Sequence, residues 1–262
     1  MHATQPPLSA IYNRVPKVTV DFWLIKLMAV TVGETAADFL NANLGLGLSK
    51  TSLLMSGLLL AVLMVQFAQK RYVPWIYWVT VVLVSIVGTL LTDSLVDHLG
   101  VSQEAASIGF AIALAATFAV WYLAERTLSI HTIYTTRREL FYWLAILLTF
   151  ALGTAAGDLA AEGLNLGYLQ AGLVYGAVIA VIAFGYFGLK MNSILAFWLA
   201  YIVTRPMGAS FGDLLSQPIG NGGLGLGTVI TSAVFLTVIA GVIVYMTLSH
   251  EGEEAVPVER RV

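Results

Sequence analysis

Apolar positions gather into eight long runs, at 19–41, 51–69, 73–96, 104–124, 140–161, 168–189, 193–215 and 227–248, with short polar breaks between them. Each run approaches or exceeds the ~20 residues that a helix needs to cross a bilayer. The odd-numbered runs share an internal frame: a Trp, a Gly ten residues later and an Asp five after that. The four copies are Trp23/Gly33/Asp38, Trp78/Gly88/Asp93, Trp143/Gly153/Asp158 and Trp198/Gly208/Asp213. An aromatic precedes every one of these Trp residues: Phe22, Tyr77, Tyr142 and Phe197. Four of the six Trp and four of the six Asp in the chain fall in this frame, which marks an internal repeat. The even-numbered runs are plainly apolar, with Gly57, Gly109 and Gly176 suited to close helix packing.

The pattern predicts an all-α polytopic membrane protein: eight transmembrane helices in four two-helix repeats. Because each repeat has an even number of spans, all four run the same way, about an axis along the membrane normal. Successive Trp residues are 55, 65 and 55 apart, so the chain divides into two halves. The expected organisation is a tail at 1–16, a first half at 17–126, a linker at 127–139, a second half at 140–249 and a tail at 250–262. Arg14, Lys17, Lys70, Arg71, Arg126, Arg137, Arg138, Lys190, Arg260 and Arg261 fall on one side, and only Lys50 on the other. The positive-inside rule then places both termini in the cytoplasm.

Composition narrows the class further. Hydrophobic residues make up 58% of the 262 and charged residues 11%, against about 25% charged in a soluble domain. A net charge of −2 gives no sign of a nucleic-acid partner. The absence of Cys excludes disulfides and thiolate chemistry. Residues 1–16 lack the pattern of a cleaved signal peptide, so the first helix is the expected insertion signal.

The candidate chemistry lies in the carboxylates. If the Trp residues mark the cytoplasmic interface, the motif Asp residues lie ~22 Å along the helix, in the outer third of the membrane core. Positions one, five and nine after the motif Gly form an i, i+4 stripe: Glu34/Asp38/Ala42, Thr89/Asp93/Asp97, Thr154/Asp158/Glu162 and Ala209/Asp213/Gln217. An intramembrane carboxylate costs a few kcal/mol and persists where it faces a cavity, a partner or a pathway. Asp38, Asp93, Asp158, Asp213 and Glu34 are therefore the expected cation- and proton-binding set. Asp97 and Glu162 would form an outer vestibule, and Thr35, Thr89, Thr154, Ser210 and Arg205 would give polar support.

Two basic residues lie inside spans. Arg205 is expected to pair with a motif Asp, with a movable counter-charge or a contact for an anionic substrate group as the alternatives, and Pro206 beside it to kink the helix or free backbone carbonyls. Lys26 is expected to snorkel to the cytoplasmic end. Glycines 33, 88, 153, 157, 208 and 212 are expected to permit close helix approach, with local unwinding that frees backbone carbonyls for a cation as the alternative. No Cys and no intramembrane His leaves oxygen ligands, which favour hard ions such as Mn²⁺, Mg²⁺, Ca²⁺, Na⁺ or H⁺. The scattered Met residues fit core packing better than copper ligation. Gly157-Asp158 and Gly212-Asp213 lack the preceding Gly and the Tyr-Asp partner of intramembrane aspartyl proteases, so the expected protein is not an enzyme.

The four frames, especially Gly-Thr-Leu-Leu-Thr-Asp (88–93) and Gly-Thr-Ala-Ala-Gly-Asp (153–158), resemble a family of bacterial membrane proteins built from four copies of a two-helix repeat of unknown function. The resemblance covers 17 to about 249 and implies a bacterial or archaeal cytoplasmic (inner) membrane protein, with no activity or site to carry over. The residues themselves point to a secondary transporter of a hard cation, divalent such as Mn²⁺, with H⁺ or Na⁺ coupling. A cation channel with a fourfold Asp ring and a non-transporting scaffold or sensor are the alternatives. The expected partners are the bilayer and a small cation, a homo-oligomer is compatible with the pattern, and no cofactor is expected.

Overall fold

A computed structural model describes residues 11–249 and 255–256. The rest of the two tails, with His2, His250, Arg260 and Arg261, lies outside the described residues. Eight α-helices follow one another: α1 (Val20–Asp38), α2 (Leu48–Phe67), α3 (Pro74–Asp93), α4 (Gln103–Glu125), α5 (Thr136–Asp158), α6 (Tyr168–Phe187), α7 (Ser193–Ser216) and α8 (Gly227–Ser249). Their starts are set by local chemistry. Side chains of Thr19, Ser102, Thr135 and Asn192 accept backbone N–H groups of the first turns of α1, α4, α5 and α7. Pro74 opens α3, where a missing N–H costs nothing. The Thr135 cap also corrects the expected linker, because residues 136–139 are already helical.

Seven of these helices are long and apolar enough to cross a membrane. The remaining one, α1, has the length but carries Asp21, Lys26, Glu34 and Asp38. Its place is in the interior. Helices α1, α3, α5 and α7 form a closed inner ring in which each touches the next and α7 returns to α1. The second helix of each repeat packs on the first helix of the following one: α2 on α3, α4 on α5, α6 on α7 and α8 on α1. The outer helices turn residues such as Leu53, Leu60, Ile112, Val181 and Phe187 outward, a surface suited to lipid.

The frame residues make this ring. The aromatic before each Trp packs on the Trp of the next repeat: Phe22 on Trp78 (5.6 Å between ring centroids), Tyr77 on Trp143 (5.4 Å), Tyr142 on Trp198 (6.3 Å) and Phe197 on Trp23 (5.7 Å). Each such pair contributes about 0.5–1.5 kcal/mol beyond its buried area. Trp78, Trp143 and Trp198 are buried, so they join repeats and do not anchor the chain at a lipid interface as expected.

The motif glycines work the same way one level further on. A Cβ at Gly33 would overlap Ser85, and one at Gly88 would lie 2.7 Å from Phe150 Cβ. At Gly153 it would overlap Arg205, and at Gly208 it would lie 2.5 Å from Val30 Cγ1. In each case the intruding residue stands three before the Gly of the next repeat. The expected close approach is thus a socket passed around the ring from each repeat to the next.

The end of the bundle at which α1 begins is closed by residues 11–16. Asn13, fully buried, donates from Nδ2 to Ile130 O (2.8 Å) and accepts the Ile133 N–H at Oδ1 (2.9 Å). Its carbonyl accepts the Tyr72 N–H. Arg14 pairs with Glu139 at 2.7 Å, and Gln66 donates to the same carboxylate. Tyr72 accepts the Trp78 indole N–H at 3.1 Å, and burial holds its phenol above the ordinary value, so it stays neutral. Ile11–Tyr12 and Ala255–Val256 form a two-residue antiparallel ladder, so the two terminal segments meet at this end.

Candidate functional site: a carboxylate cluster over a buried arginine

Above the glycine sockets the first helices present the residue one past each motif Gly. Glu34, Thr89 and Thr154 come together there, and all three are buried. The fourth repeat has Ala209 at this level and reaches it from one turn below with Arg205. The Nη2 of Arg205 lies 3.0 Å from Glu34 Oε2, 2.5 Å from Thr89 Oγ1 and 2.7 Å from Thr154 Oγ1. The guanidinium is fully buried and stands 5.4 Å from the Phe150 ring centroid. The ion pair expected for Arg205 therefore exists, but with Glu34 in place of a motif Asp. Glu34 sits one turn nearer on the same stripe, within reach of the side chain.

The four motif Asp residues form the next level. One carboxylate oxygen each of Glu34, Asp158 and Asp213 lies within 4.8 Å of the other two. Asp38 and Asp93 flank this trio, and Glu34 is within electrostatic reach of all four motif Asp residues. Asp38 accepts a hydrogen bond from Gln217 at 3.4 Å. Among the described residues no group donates to the carboxylate oxygens of Asp93, Asp158 or Asp213, although Asp213 is only 8% exposed. Of the five residues expected to converge, Glu34, Asp158 and Asp213 form the close group, and Asp38 and Asp93 stand beside it within electrostatic reach.

The outer rung is built on a different kind of turn. A π-helical turn begins immediately after the motif Asp in three repeats, at Phe39–Asn43, Ser94–His98 and Leu159–Gly163. Asp97 and Glu162 lie within these π turns, and both are exposed. Glu162 accepts from the Tyr168 hydroxyl at 3.2 Å and remains within electrostatic reach of Asp38, Asp158 and Asp213, while Asp97 reaches Asp93. In the fourth repeat α7 stays α-helical through Asp213 to Ser216.

Three further expectations are corrected. Lys26 does not snorkel. It is fully buried, donates to Tyr201 O at 2.7 Å and to Thr204 Oγ1, and lies 4.2 Å from the Tyr201 ring centroid. Residues 11–16 and the 127–135 loop cover the end it would have reached. Thr35 and Ser210 do not support the site. They stand two past their glycines, about 100° further round the helix than Thr89 and Thr154. Thr35 meets Ser232 of α8 at 2.6 Å, and Ser210 donates to Pro206 O of its own helix at 2.9 Å. Sequence reasoning missed Asn13, Gln66 and Glu139, whose only signal was a polar residue beside an apolar run.

A closed ring of parallel two-helix units with polar residues turned inward and apolar helices outside defines a multi-pass membrane protein with internal repeat symmetry. The family model described as Repeat of Unknown Function (DUF347) matches at 22–72, 76–127, 141–191 and 196–251, and the chain belongs to that family. The four matched segments each contain one Trp–Gly–Asp frame and its following helix. Comparison with curated proteins and with solved structures finds no match.

Proposed function

We propose that the protein is a secondary transporter of a hard, preferentially divalent cation in a bacterial or archaeal cytoplasmic membrane. The observation that carries this reading is the trio of Glu34, Asp158 and Asp213, with carboxylate oxygens within 4.8 Å of one another. Hard divalent cations hold oxygen ligands at about 2.0–2.6 Å, so oxygens on opposite sides of one ion stand about 4–5 Å apart. The carboxylates of Asp158 and Asp213 accept no hydrogen bond from the described residues, which leaves their lone pairs for a ligand. The first, third and fourth repeats supply the trio, so movement of one repeat against another would open or close it. Carboxylates that exchange a metal ion for H⁺ or Na⁺ would give coupling, and Asp97 and Glu162 would gather cations at the mouth.

Below the cluster the ring interior holds Arg205, Phe150 and Lys26. The fixed positive charge of Arg205 on the line a cation would follow favours a carrier over a continuous pore with an Asp ring. The ten-to-one distribution of basic residues supports a cytoplasmic location for the terminal end and an outward-facing acidic cluster. The test is uptake of Mn²⁺ by proteoliposomes. Asp158→Asn and Asp93→Asn are each expected to abolish flux, and flux equal to the unsubstituted protein would remove the site assignment.

A further inference from the structure

Glu34 has two claimants. Its Oε2 lies 3.0 Å from Arg205 Nη2, and one of its carboxylate oxygens also completes the trio with Asp158 and Asp213. The same nitrogen is within hydrogen-bond distance of Thr89 Oγ1 and Thr154 Oγ1. A terminal guanidinium nitrogen carries two hydrogens. Three oxygens therefore compete for two donors, and the two threonines alone can satisfy both. The Nε and Nη1 of Arg205 are buried and have no hydrogen-bond partner among the described residues. The pair thus lacks the two-pronged geometry that makes arginine–carboxylate contacts strong.

We propose that Arg205 is a tethered cation that holds Glu34 while the site is empty and yields it when a cargo cation binds Glu34, Asp158 and Asp213. The inference rests on the cation-site reading above and adds how that site is emptied and refilled. A buried carboxylate without a compensating charge is strongly unfavourable, so Glu34 always keeps one cation, either the tethered one or the cargo. Arg205 suits this task because a guanidinium does not lose its proton, so its charge is constant through the cycle. When it leaves Glu34 it settles on Thr89 and Thr154, and no donor of Nη2 is stranded. Lys26 cannot replace it, being committed to Tyr201 O and Thr204 Oγ1. Cargo binding becomes an exchange of one cation for another, which weakens retention and favours release. All four repeats take part: Glu34 from the first, Thr89 from the second, Thr154 from the third and Arg205 from the fourth.

The test uses the full chain in lipid nanodiscs and Mn²⁺ alone, with free Mn²⁺ read by its electron paramagnetic resonance signal. Arg205→Gln is expected to tighten Mn²⁺ binding about tenfold and to slow Mn²⁺ release from loaded proteoliposomes, with Arg205→Lys returning both toward the starting values. The paired variant Thr89→Val/Thr154→Val, nearly isosteric, leaves Arg205 only Glu34 and is expected to weaken binding about fivefold. It answers the question even where Arg205→Gln fails to fold. Unchanged affinity in the threonine variant, or weaker binding in Arg205→Gln, overturns the tethered-cation role and leaves the site standing. No Mn²⁺ binding by the unsubstituted protein overturns the cation site itself, and the inference with it.

Discussion

Gly153 and Gly157 lie one turn apart on α5, and both face α7. Replacement by Ala should nevertheless affect them in opposite directions. Either substitution removes backbone freedom from the unfolded chain and favours the helix by about 0.5–1 kcal/mol. At Gly157 the new methyl would sit 3.6 Å from Pro206 Cα and Cβ, an ordinary van der Waals contact, so Gly157→Ala should be neutral or slightly stabilising. At Gly153 it would overlap the Arg205 side chain and lie 3.1 Å from Pro206 Cδ. Pro206 is part of α7 and cannot swing aside, and Arg205 can move only by leaving Glu34, Thr89 and Thr154. Overpacking of this kind costs about 1–3 kcal/mol, to which the disturbed ion pair adds. Gly153→Ala is thus expected to be less stable than Gly157→Ala by about 2–4 kcal/mol. Reversible unfolding in mixed detergent micelles measures the difference directly, since helix propensity cancels between the two. Equal stabilities would refute the socket role of the motif glycine, as would a Gly157→Ala variant that is the weaker of the pair.

Other expectations follow from the same geometry. Glu34→Gln and Arg205→Gln should each destabilise by about 3–5 kcal/mol, because each strands a buried partner. The double variant should cost clearly less than the sum, and additive losses in a double-mutant cycle would show that the two do not interact. Asn13→Ala should leave the Ile130 carbonyl and the Ile133 N–H unpaired, at about 1–3 kcal/mol for each group. Its signature would be faster proteolysis within 127–135, and a cleavage pattern identical to the unsubstituted chain would count against the plug at that end.

The eight helices were legible because each is a long apolar run, and the repeat was legible because four Trp, Gly and Asp residues keep one spacing. The meeting of Glu34 with Asp158 and Asp213 was legible for a related reason: equal spacing puts equal residues at equal depth in parallel units. Neighbourhood was not legible. Nothing in the spacing says that Tyr77 meets Trp143, or that Gly153 receives Arg205, because those contacts depend on the order in which the repeats close. Lys26 was misjudged because its count from the end of the run ignores a cover made by Asn13 and the 127–135 loop, far away in sequence. Thr35 and Ser210 could have been excluded from sequence alone, since one residue further along a helix is about 100° around it. The π turns after Asp38, Asp93 and Asp158 had no signal in an apolar pattern.

The closure of the ring between its last and first members has a consequence for biogenesis. Helix α1 leaves the ribosome first and is the one of the eight that is not apolar enough by itself to count as a membrane span, with Lys26 and Glu34 inside it. The groups that satisfy them, Tyr201 O and Thr204 for the lysine and Arg205 for the glutamate, belong to α7 and are made some 170 residues later. Its apolar cover, α8, is made last of all. Through most of synthesis α1 is thus a charged segment waiting for its partners. A chain cut short before Tyr201 would lose more than its final helices, because its first would have no settled place in the membrane.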